Sequence, residues 1–178
     1  MDNRNEFVYL PCMNNYDHDD METFDKCVDF LNAIGIHTLF REVENDSFLP
    51  GLSIENGTIV VDINQLQHPG DILHEAGHIA VVPAKDRSRL TATSIINRTN
   101  REAEEMMAIA WSYAVCIYLE IDPYFVFHAE GYRNGGVYIV ESCGNNTYFG
   151  SSMLQQIGLT TDESKTSSFP NLKQWLRN

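Results

Sequence analysis

Long apolar runs are missing from this chain. No window approaches the roughly 20 residues that a membrane-crossing helix needs, so no membrane insertion is expected. The stretch MDNRNEFVYLP lacks a basic segment followed by an apolar one, so no secretory leader is expected either. Basic residues are few, 12 Lys and Arg against 25 Asp and Glu, which leaves a formal net charge of -13. A field of that sign repels phosphate backbones and anionic lipid, which argues against nucleic acid as a direct ligand. Cysteine is scarce too. Cys12, Cys27, Cys116 and Cys143 are widely spaced and form no CxxC pair, a pattern that excludes a cysteine-dense secreted scaffold and fits reduced thiols in a cytoplasmic protein. Internal repeats, low-complexity tracts and interdomain linkers are absent.

What is present reads as an ordinary globular domain. Hydrophobic residues make up 43% and charged residues 21% of 178 positions, enough for one domain over residues 1–178 with a substantial core. A short apolar run at 7–10 reads as a strand leading into a loop at 14–20. Phe24, Cys27, Val28, Leu31 and Ile34 recur at helical intervals before Gly35, which suits a helix stop. Residues 36–43 read as a strand, and LSIENGTIVVD holds two strand-forming runs around Asn56-Gly57, a pair favoured in tight hairpins. A helix is predicted from Pro69-Gly70-Asp71 to Val82, ended by Pro83. The 84–98 segment reads as mixed with loop. Thr99 and Glu102 have the spacing of a capping box, opening a buried helix over 100–120. Beyond it come a loop at 131–136, a strand at 137–140, a turn at 144–146 and one or two short helices.

His74-Glu75-Ala76-Gly77-His78 matches H-E-x-x-H. Four residues advance a helix by one turn plus about 40° and about 6 Å, so both imidazoles can reach one zinc ion. Glu75, to the side of the pair, can then take a proton from a water that the metal has acidified and deliver it to a leaving group. Zinc needs a third protein ligand. A metzincin would continue with Gly and His where this chain has Val81 and Ala84, so the ligand comes from elsewhere.

The motif resembles the gluzincins, which draw the third ligand from a glutamate on a following helix. Here that helix offers Glu102, Glu104 and Glu105; the capping box accounts for Glu102 and leaves Glu104 and Glu105 as candidates. The run from Glu105 through Ala108, Trp111 and Ser112 resembles the gluzincin order of ligand, small residue, aromatic and small residue, which favours Glu105. HEAGH followed by EEMMAIAWSYA resembles the ImmA/IrrE-type branch, with Ile109 where that family has Asn and Trp111 where it has Phe. A closer resemblance, over residues 50–178, is to small bacterial proteins with similar EEM-AIAWSYA and VFH-GYR segments. These resemblances imply an α+β, compact zincin-like fold, with the strand at 57–62 as an edge against which an extended peptide could pair.

The expectation is a zinc metallopeptidase acting on a peptide or protein, with His74, His78 and Glu105 as ligands, Zn2+ as cofactor and Glu75 as base. His128 and Tyr132 are candidate donors to an oxyanion, as is Arg133; His18, His37 and His68 have weaker claims. Asp71 reads as a helix-start charge, and Cys116 as a small buried hydrophobe. The competing readings are a binding or regulatory module with structural zinc, in which Glu75 is dispensable, and a metal hydrolase of a small non-peptide substrate.

Overall fold

The computed structural model describes residues 18–43, 49–161 and 169–178. The strand expected at 7–10 and Cys12 lie outside them. Among the described residues the chain is mixed α and β, with seven α-helices and one three-stranded sheet. No helix of these residues is long and apolar enough to cross a membrane.

The first helix, α1 (His18–Ile34), starts inside the expected loop and carries Asp19 and Asp20 in its first turn, where carboxylates favour the helix dipole. It buries Phe24, Cys27, Val28 and Leu31 along one face. Gly35, at φ 93°, ends it, because the left-handed turn lets Ile36 N–H donate to Leu31 O at 2.9 Å. Three short strands follow: β1 (Thr38–Phe40), β2 (Leu52–Glu55) and β3 (Thr58–Val61). β1 is shorter than the strand expected at 36–43. Asn56 and Gly57 both have positive φ, so a two-residue turn joins β2 to β3 and pairs Glu55 with Thr58.

The sheet order is β1-β3-β2, with β1 parallel and β2 antiparallel to β3. This corrects one expectation: the 57–62 strand is the paired middle of the sheet. Its backbone is committed on both sides, and β1 and β2 are the outer strands among the described residues.

Helix α2 (Asp71–Val81) carries the motif and stops where Val82, preceding Pro83, turns extended. The 84–98 segment is two short helices, α3 (Ala84–Arg87) and α4 (Ala92–Ile96). The capping box lies here rather than at Thr99: Thr91 Oγ1 accepts from Ser94 N–H at 3.1 Å, and Thr91 N–H donates to Ser94 Oγ at 2.8 Å. Helix α5 (Arg101–Leu119) begins after Asn100, which makes no side-chain cap. That start is one residue too late for a Thr99–Glu102 box, so Glu102 is left exposed.

The predicted strand at 137–140 is part of a helix, α6 (Gly136–Gly144). Ile139 and Cys143, four apart, are its buried side, while Val137 and Tyr138 face solvent. A β-branched run of this length is ambiguous in period, and no strand of the sheet is there to pair with it. A short helix, α7 (Ser151–Gln156), packs on α5, and residues 169–178 form a strap without helix.

The core lies between the sheet, α1, α2 and α5, with Phe24, Ile59, Leu73, Trp111 and Phe127 fully buried. Its tightest joint is α2 against α5. A Cβ on Gly77 would lie 2.9 Å from Ala108 O and 3.1 Å from Ala108 Cβ, so only glycine lets the two backbones come this close. One turn away, Ser112 Oγ donates towards Ala108 O at 2.8 Å and Leu73 O at 3.1 Å. Leu73 opposite Ser112 and Gly77 opposite Ala108 make the helices antiparallel, which carries the N-terminal turn of α5 towards the motif histidines.

Candidate metal centre

His74 and His78 project from one face of α2, their rings 4.8 Å apart and nearly perpendicular, with Nε2 atoms 3.2 Å from each other. Glu105 reaches both from α5: one carboxylate oxygen lies 3.5 Å from His74 Nε2 and the other 3.4 Å from His78 Nε2. Burial pushes both imidazoles down to about 4, so at neutral pH they are uncharged and the cluster is not a carboxylate paired with imidazolium.

These separations bear on the fit of an ion. Zinc bonds of about 2.0–2.1 Å at tetrahedral angles place ligand atoms about 3.3–3.4 Å apart. The two nitrogens are 3.2 Å apart, and each lies 3.4–3.5 Å from its own oxygen of the Glu105 carboxylate, separations of that size. Two neutral imidazoles and a carboxylate are also a suitable donor set for zinc. His74 departs in one respect: its Nδ1 is buried without a hydrogen-bond partner among the described residues, whereas a ligating histidine ordinarily donates from that nitrogen.

Glu104 and Glu105 part company. Glu104 is buried and accepts two hydrogen bonds from Arg98, at 2.6 Å to Nε and 2.9 Å to Nη2, and Asp86 lies 3.6 Å from the same guanidinium. Of the two acids, the structure brings only Glu105 to the histidines.

The ligand-type atoms of His74, Glu75 and His78 lie within 4.8 Å of one another. Burial pushes the Glu75 carboxyl up to about 8, with Asp71 and Glu105 adding like-charge repulsion. A cation beside it acts in the opposite sense.

The loop after α5 covers the His74 end of the site. Tyr132 stands edge-on to His74, ring centres 5.2 Å apart, and packs on Phe127 at 5.1 Å. Its hydroxyl is buried with no hydrogen-bond partner among the described residues, and burial holds its pKa well above the usual value. Tyr132, Arg133 and Asn134 are successive left-handed residues, with φ of 55°, 56° and 65°. Each costs about 1–2 kcal/mol in that conformation, so surrounding contacts must hold the turn. Gly136 is part of that constraint, since a Cβ there would lie 2.4 Å from two backbone oxygens of the loop.

His128, from the same loop, places Nε2 3.2 Å from Asp71 Oδ1 in the first turn of α2. Its ring stacks on His68 at 3.7 Å, and its Nδ1 is buried without a hydrogen-bond partner among the described residues. Burial lowers the His128 pKa, opposed by Glu130, and raises that of Asp71 to about 6, opposed by His68.

Asp71 therefore does more than charge a helix start: it ties His128 to the motif helix. The signal was the spacing His68, Asp71, His74, which repeats every three residues into the motif. Arg133 is exposed beside Tyr132, while His18 opens α1 and His37 precedes β1. No protein-family model matches the chain, and no curated protein or solved structure matches it. The site therefore stands on its own geometry: two imidazoles facing the two oxygens of the Glu105 carboxylate, with the Glu75 carboxylate at their side.

Proposed function

We propose that this chain is a zinc-dependent hydrolase of compact zincin-like fold, a metallopeptidase, in which His74, His78 and Glu105 hold the ion. The observation that carries the reading is the convergence of two imidazole nitrogens 3.2 Å apart on one carboxylate, whose two oxygens lie 3.5 Å from His74 Nε2 and 3.4 Å from His78 Nε2. Zinc held there supplies Lewis acidity towards a water molecule and a substrate carbonyl. Glu75 accepts the proton of the attacking water and returns it to the departing amine. The buried Tyr132 hydroxyl and the His128 ring, tethered to Asp71, are the donors available to a carbonyl oxygen as it gains charge.

The test begins with metal. Elemental analysis of the purified, zinc-supplied protein is expected to find one ion per chain, lost in His74→Ala and Glu105→Ala and kept in Glu104→Ala. Glu75→Gln is expected to keep zinc and to lose peptide cleavage by about a hundredfold or more, the scale of a general base. A folded wild type that takes up no zinc sinks the metal reading. Zinc uptake with a cleavage rate unchanged in Glu75→Gln removes Glu75 from the mechanism.

A further inference from the structure

Seven arginines lie among the described residues, and four of them are committed within the fold. Arg41 pairs with Glu55, Arg98 with Glu104, and Arg87 and Arg177 donate to the backbone oxygens of Ile79 and Val81. The other three are Arg89, Arg101 and Arg133. Arg89 lines a groove with Asp86, Ser94 and Arg98 on the α3–α4 connection. Arg101 and Arg133 are exposed, without ion-pair partners among the described residues, and both are neighbours of the candidate centre.

Arg101 is four residues before Glu105 on α5, on the same helix face and one turn nearer the N-terminus. Because α5 runs antiparallel to α2, it stands at the His78 end of the site. Arg101 is near enough to His78 to act on it electrostatically. Arg133 follows Tyr132 in the left-handed turn and stands at the His74 end. Carboxylates to satisfy these arginines are close in sequence, yet Glu102 stays exposed beside Arg101, and Glu130 lies 3.5 Å from His68 instead. In a chain of net charge -13, two arginines without ion-pair partners among the described residues are local positive charges beside one site.

We infer that Arg101 and Arg133 are specificity determinants that select substrates carrying a carboxylate close to the bond attacked, as in an acidic peptide or one cleaved near its C-terminus. The guanidinium fork matches a carboxylate in shape and charge, and each such contact is worth about tenfold or more in affinity. The inference rests on the zinc hydrolase reading and names the substrate class of that same site.

The test uses two hydroxamates, which bind zinc directly, alike except that one tether ends in a carboxylate and the other in the primary amide. Calorimetry on the zinc-loaded protein is expected to find the acid bound about tenfold more tightly or better. Arg101→Gln or Arg133→Gln is expected to reduce that preference while leaving zinc content and amide affinity unchanged. Equal binding of the two probes, or a preference that survives both substitutions, overturns the inference and leaves the metal site standing. A protein that takes up no zinc overturns the underlying reading, and this one with it.

Discussion

Glu104 and Glu105 are neighbours with the same functional group, and the fold uses them for opposite purposes. Adjacent helical residues point about 100° apart, so one can face α2 while the other faces Arg98. Glu104→Gln is expected to cost about 3 kcal/mol, at the lower end for a buried ion pair because Arg98 is partly exposed. Glu105→Gln is expected to change metal-free stability by less than about 0.5 kcal/mol, since its carboxylate is 41% exposed. Urea melts of the metal-free proteins, beside their zinc contents, check this double dissociation; equal losses of stability would contradict it. Spacing in the sequence left both acids open as ligands, because the azimuth facing α2 is set by a contact between helices. The roles of His128 and Tyr132 were legible only as residue types, since a loop with three left-handed residues leaves no periodic trace.

At the scale of elements, the joint of α2 and α5 decides whether Glu105 arrives. Gly77→Ala gains up to about 1 kcal/mol of helix propensity, and overpacking against Ala108 costs about 1–3 kcal/mol. The net expectation is a loss of stability together with weaker zinc uptake, because α5 must move outwards with Glu105 attached. Thermal melts with zinc titration check it, and a stabilised variant with full uptake would refute it. The helix carrying HEAGH and the Asn-Gly hairpin were legible because each has a strong local signal, a periodic apolar face ended by proline in one case and two positive-φ positions in the other. Residues 137–140 were not, because Val, Tyr and Ile suit either period until Ile139 and Cys143 are seen buried four apart. Strand order was equally hidden, since nothing local to 58–61 says that β1 lies on its other side.

Across the whole molecule, the strap at 169–178 closes the core. Trp111 Nε1 donates to Trp175 O at 2.9 Å, and the Trp175 ring meets Phe30 and Tyr118, each at 5.0 Å between centres. Trp175→Ala is expected to cost about 3 kcal/mol, at the low end for a large aromatic because the side chain is only half-buried. Denaturant unfolding checks that figure, and a change below about 0.5 kcal/mol would place the strap outside the cooperative unit. The same strap reaches the motif helix: Arg177 donates from its backbone to Ala80 O at 2.9 Å and from its side chain to Val81 O at 3.3 Å. Those carbonyls end α2, so the helix that bears both histidines is capped by a residue 96 positions after Val81. During synthesis from the N-terminus, the histidines and Glu105 therefore emerge well before the cap that finishes their scaffold. The end of the motif helix is thus finished only once residue 177 has been made and has packed against it.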